Sequence, residues 1–282
     1  MPASAWAPMR YYPIFRALWI AQFASNVGTW MQTVGAQWLL VDRSPLLVSL
    51  VQTAASLPIV MLALPAGAWA DMFDRRRLLL GAQFAMFVAA AALAASTFLG
   101  VASPAVILTL TFLLGCGNAV AGPAWQAIQP ALVDRAVLPQ AAALNGVNMN
   151  LDRAIGPAIG GVIVAAAGAG WVFVLNALSF VGIAAVVARW RAPERVNVGS
   201  REQLFEAVRA GGRYVRHALI VRRLLYRAVL FIPPASAVWA LLPVVAARNL
   251  GLGSAGYGLL LGMVGIGAVA GAAVIPRLRA RV

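Results

Sequence analysis

Asp152 and Arg153 stand side by side in LNGVNMNLDRAIGPAIGG, residues 144–161, within a stretch that is otherwise free of charge. A carboxylate in such surroundings binds a proton reversibly when desolvation lifts its pKa toward the working pH, and a nearby arginine opposes that lift. Neighbouring residues on a helix project about 100° apart, so each of the two needs its own partner. Asn145 and Asn148 share a helical face with Asp152. The pair reads either as structural charges or as groups that couple transport or bind a substrate.

Two further polar stripes interrupt apolar sequence. Gln22, Asn26, Thr29, Thr33 and Gln37 are separated by 4, 3, 4 and 4 residues, which at 3.6 residues per turn makes one face. Asn118, Trp125 and Gln129 form the second, in which Trp125 offers a flat apolar surface with a single donor. Polar groups are costly in hydrocarbon and normally face protein or a water-filled cavity. Gln22, Asn26, Thr29, Thr33, Asn118, Trp125, Gln129 and Asn148 are therefore candidates to line a cavity for a small-molecule substrate. Hydrogen bonding between helices with no ligand is the alternative.

Other chemistry is poorly represented. Cys116 and His217 are the only residues of their types, which leaves no intrachain disulfide and no metal site. No nucleophile is paired with a base, so an enzyme is not expected. No glycine-rich phosphate loop points to nucleotide hydrolysis, and no cofactor is expected.

The elements that position these groups follow from composition. The 282 residues are 62% hydrophobic and 11% charged, with a mean hydropathy of +0.84, far from the usual balance of a soluble domain. A helix needs roughly 20 apolar residues to cross a bilayer. Spans are expected at about 15–41, 46–70, 78–99, 104–130, 140–167, 171–189, 225–247 and 255–276. Gly100 to Pro104 and Gly168 to Gly170 mark two of the turns between them. Alternating ten-residue segments, the mark of an outer-membrane barrel, are missing. The first span is too long for a signal peptide and lacks a cleavage site, so it is expected to stay as an anchor.

All 22 basic residues are arginine, and the net charge is +14. Arg10, Arg16, Arg75 to Arg77, Arg135, the ten arginines from Arg189 to Arg227, and Arg277, Arg279 and Arg281 share one side when the N-terminus is cytoplasmic; only Arg43 and Arg248 fall opposite. This bias orients the bundle. The charge reads as topology plus contact with anionic lipid of the bilayer, not as a nucleic-acid footprint. Between the sixth and seventh spans, Ser200 and Gln203 open a capping-box-like start. Leu204, Phe205, Val208, Tyr214 and Val215 then alternate with Glu206, Arg209, Arg213 and Arg216, as in a basic surface helix. A solvated linker is the equal alternative.

Three motifs resemble one family. Residues 67–80 read GAWADMFDRRRLLL. Gly67, Asp71, Arg75 and Arg76 match the loop motif that the major facilitator superfamily carries between its second and third spans, with Met72 in place of an arginine and Asp74 in place of the second glycine. The FDRRR form and the opening FRALWIAQFASNVGTWMQTVGAQWLL are similar to the superfamily's bacterial exporter branch, of the transmembrane secretion effector type. RAIGPAIGG resembles the fifth-span antiporter motif, with Gly156, Pro157, Gly160 and Gly161 in register. The resemblance implies an all-α polytopic membrane bundle. Residues 1–190 would form a six-helix half, 191–224 a cytoplasmic arginine-rich connector, and 225–282 the first two helices of a second half, the chain being truncated after its eighth span. It also implies a secondary active transporter of the bacterial inner membrane, exporting a small amphipathic molecule, drug or siderophore-like, by alternating access and proton-coupled antiport. The loop then acts as a gating latch, with Asp71 and Asp74 favouring the start of the third helix and the arginines reaching carbonyls of neighbouring helices. A non-transporting scaffold or degenerate fragment is the alternative. Substrate identity and oligomeric state are not legible.

Overall fold

A computed structural model describes residues 4–190 and 217–279, and every regular element among them is helical. The capping-box and basic-surface-helix expectations for the connector fall on 191–216, outside the described residues. A short α1 (Ala7–Tyr11) precedes α2 (Pro13–Trp38), α3 (Pro45–Met72), α4 (Arg75–Phe98), α5 (Pro104–Ile128), α6 (Leu138–Ala167), α7 (Ala169–Arg189), α8 (Leu219–Val244) and α9 (Ser254–Arg279).

Local chemistry sets the boundaries. Proline opens α2, α3 and α5, where its missing N–H would have no partner in any case. Ser44 and Ser103 accept hydrogen bonds from the backbone N–H groups of Leu46 and Val106, satisfying donors that a helix start leaves orphaned. Gly168, at φ +90°, is by itself the corner between α6 and α7, a tighter turn than the three-residue Gly168–Gly170 break expected. Only glycine adopts that backbone without strain.

Two starts differ from expectation. The third span begins at Arg75, not near 78, because Asp74 caps it and draws all three arginines into its first turn. The seventh begins at Leu219, not near 225, with Arg222 and Arg223 exposed on its first turns; long arginine stems let a helix continue to the interface while the charge stays wet. Eight crossings are expected from the sequence, whereas four helical stretches among the described residues, Pro45–Ala63, Arg75–Phe98, Pro104–Ala131 and Ala169–Arg189, are long and apolar enough by composition alone. Helices α2 and α6 fall short because of their polar faces, and those faces meet each other.

Packing follows from this. Helix α2 lies against α6 and α7, α4 lies against α5 and α7, and α3 covers α5. Helix α9 runs along α6, and α8 touches α3. One core cluster joins Phe15, Leu18, Met86, Ile128 and Phe180; another joins Leu40, Val48, Leu93, Ile107 and Phe173. A third, of Val34, Ala246, Tyr257 and Leu261 with Trp239 and Leu242 packed against it, ties α2 to α8 and α9.

Candidate functional site

The seam between α2 and α6 holds most of the polar groups. The Trp19 indole donates to the Leu144 carbonyl at 3.1 Å, and the Asn148 amide returns a bond to the Trp19 carbonyl at 3.2 Å. Gln22 donates to Asn26 at 2.7 Å, and Asn26 to Asn148 at 3.5 Å. Asp152 is buried one turn further along, on the side of α6 that faces Asn26 and Trp30 of α2. Arg153 takes different neighbours: its guanidinium carbon lies 5.6 Å from the ring centre of Trp30 and 5.9 Å from that of Trp239 on α8. Cation–π contacts of this kind are worth about 2 kcal/mol when desolvated. The Arg153 Nε–H has no hydrogen-bond partner among the described residues. Three helices thus converge on one cation and one carboxylate.

The rest of the α2 stripe serves another place. Thr29 and Thr33 donate to carbonyls of their own helix, each at 3.0 Å, and with Gln32, Thr111 and Asn118 they line a small cavity of about 40 Å³ between α2, α3 and α5. Trp125 packs against the first core cluster, and Gln129 opens a single 3-10 turn at the end of α5. Neither reaches the two polar groups. The eight candidate cavity residues therefore divide into Gln22, Asn26 and Asn148, then Thr29, Thr33 and Asn118, then Trp125 and Gln129 apart.

Several residues escaped the sequence reading. Trp30 and Trp239 are indistinguishable by type from core or lipid-facing aromatics. Gln32 accepts a buried hydrogen bond from Asn176 of α7; a lone asparagine in the run VFVLNALSF is the signal that a partner helix lies opposite. Tyr257 donates to Gln37 across 220 positions.

At the arginine-rich end, Asp74 Oδ1 accepts from the Arg77 backbone N–H at 2.8 Å. Arg75 donates to the carbonyls of Ala70 and Ala127, and Arg76 to those of Val187 and Ala188. The starts of α4 and the ends of α5 and α7 are so clasped together. Asp71 lies in the last turn of α3, and its side chain is outside the described residues. A Cβ at Gly67 would meet nothing within 4 Å. Nearby, Tyr12 donates to Asp134 at 2.6 Å, and that bond raises the phenol above its ordinary pKa. Asp74→Ala is expected to lower stability by about 1 kcal/mol through loss of the cap, read as a lower melting temperature in detergent; Asp74→Asn should keep most of it.

The antiporter-like motif faces two ways. A Cβ at Gly156 would stand 2.6 Å from Trp30 Cβ, and one at Gly160 2.7 Å from Met31 Cα, both on α2. One at Gly161 would stand 2.5 Å from the Ser254 carbonyl oxygen on α9. Gly258 and Gly265 press in turn on Pro157, Gly161 and Ala154. Pro157 stays within a continuous α6.

This bundle of long apolar helices, packed around a buried carboxylate and a half-buried arginine, defines a multi-pass membrane protein. Residues 3–282 match the model of the transmembrane secretion effector family, and the chain belongs to that family of the major facilitator superfamily. It is 32% identical over 163 residues to the Staphyloferrin A transporter of Staphylococcus aureus, covering 57% of this chain and 41% of that protein. It is 27% identical over 267 residues to the Enterobactin exporter EntS of Salmonella typhimurium, covering 94% of this chain and 64% of that protein. The likeness to EntS of Citrobacter koseri is also 27%, over 94% of this chain and 63% of the relative. The chain thus spans less than two thirds of the length of the curated relatives it matches.

Proposed function

We propose that the chain forms the first half, 1–190, the connector, 191–224, and the start of the second half, 225–282, of a proton-coupled exporter of a small amphipathic, siderophore-like molecule. It sits in the bacterial inner membrane with the N-terminus cytoplasmic, and it works by alternating access. The observation that carries this reading is Arg153 held between Trp30 and Trp239 beside buried Asp152. A cation flanked by indoles recognises an anionic, partly aromatic solute. The buried carboxylate one residue away is the group assigned to carry the proton in the other half of the cycle. Ligand and proton then shift the populations of inward- and outward-open states by their differential affinity for each. Gln22, Asn26 and Asn148 supply donors along the same seam, Thr29, Thr33 and Asn118 line the separate small cavity between α2, α3 and α5, and Gly67, Asp71, Asp74, Arg75 and Arg76 form the latch.

The test is export of enterobactin from cells that lack their own exporter. Asp152→Asn is expected to remove the dependence on the proton gradient, and Arg153→Met to bring export down to the level of cells without the protein, both at undiminished protein amounts. Unchanged export in the two variants overturns the reading.

A further inference from the structure

Outside the polar seam, a groove of about 700 Å³ runs between α4 and α5, with Trp69 of α3 beside it. Its walls are apolar, including Phe84, Val88 and Leu113, all exposed. It follows α4 from Arg77 to Ala92, about 22 Å of helix, longer than one leaflet of a hydrocarbon core about 30 Å thick. Gly81 lines it, and a Cβ there would meet nothing within 4 Å, so the floor is open at that point.

The charge at its mouth is what selects an occupant. Of three consecutive arginines, Arg75 and Arg76 are engaged with backbone carbonyls. Arg77 is exposed, lines the groove, and its guanidinium has no hydrogen-bond partner among the described residues. It lies in the first turn of α4, where the helix leaves the arginine-rich face. A cation at the interface above a leaflet-deep apolar channel is complementary to a phosphate joined to an acyl chain. We propose that this groove binds an anionic phospholipid of the arginine-rich leaflet, its chain along α4 and α5 and its phosphate on Arg77.

The experiment uses the protein reconstituted in vesicles doped with phosphatidylglycerol or phosphatidylcholine carrying a diazirine midway along one acyl chain. Photo-cross-links are mapped by mass spectrometry. Cross-links to α4 and α5 are expected to favour phosphatidylglycerol about fivefold, the effect of one basic residue at the surface. Arg77→Gln should equalise the two lipids and Arg77→Lys should restore the preference. Gly81→Phe should suppress groove cross-links from both while leaving those elsewhere unchanged. Equal cross-linking by the two lipids in the unaltered protein overturns the assignment of the headgroup to Arg77. No groove cross-link from either lipid means that protein covers the groove, and this also overturns the proposal. Neither outcome bears on the export reading, which rests on α2, α6 and α8.

Discussion

Leucine at Gly161 is expected to cost about 3 kcal/mol, the upper part of the usual range for overpacking. The reason is what its Cβ meets. The Ser254 carbonyl oxygen would be 2.5 Å away, the Gly258 Cα 2.9 Å and the Gly258 nitrogen 3.1 Å, all backbone atoms of α9. A side chain can rotate out of such a clash, whereas a helix backbone has to move as a body. Displacement of α9 would also pull Gly262 and Gly265 from the carbonyl and backbone of Ala154. Unfolding in detergent, followed by tryptophan emission, reads the loss. Gly267→Leu is the control on the same helix, since a Cβ there meets nothing within 4 Å. Equal melting temperatures for the two variants would sink the claim that this packing holds α6 to α9.

The second large effect is expected at Tyr257, fully buried between α2 and α8 and stacked at 6.3 Å on Trp38. Its hydroxyl donates to the Gln37 side-chain oxygen, while the Gln37 nitrogen already lacks a partner among the described residues. Nearby, Arg248 donates to the Val41 carbonyl at 3.1 Å. Tyr257→Phe leaves a buried amide with no partner at either end and should cost about 1–3 kcal/mol. Tyr257→Ala adds a cavity and should cost about 3–5 kcal/mol. If that cost falls on this contact alone, its opening rises by about a hundredfold to several thousandfold. Labelling of Val34→Cys, in a background where Cys116 is serine, by a membrane-impermeant thiol reagent measures the opening. Val34 is fully buried in the same cluster, so labelling should be slow with tyrosine at 257 and fast with alanine. Equal rates would show that the cluster is not what closes this end.

The helices were legible because apolar runs, proline at first turns and glycine at corners are local signals. The α2 stripe was legible as a stripe for the same reason. Its partners were not, because spacing of 3 and 4 says which residues share a face and nothing of which helix lies opposite. Asn26 meets α6, whereas Thr33, two turns on, borders a cavity shared with α3 and α5. The expectation that Asp152 and Arg153 need separate partners came from helix geometry. The identity of those partners required knowing that α8 returns to α2, bringing Trp239 to within 5.9 Å of Trp30. Boundaries moved where a side chain acted on the backbone: the Asp74 cap turned an expected loop of arginines into a helical turn.

The joint between α6 and α9 is built without teeth. Where most helix pairs interlock knobs into holes, this one sets Gly161 against Gly258, and Gly262 against Ala158. Turning an interlocked pair requires side chains to leave their rotamers and climb over one another. Two smooth surfaces in backbone contact exchange one set of weak dispersion contacts for a nearly equal set. The same closeness that makes the joint intolerant of a single added side chain leaves no interlocked side chains at Gly161, Gly258 and Gly262 to resist sliding of one backbone along the other.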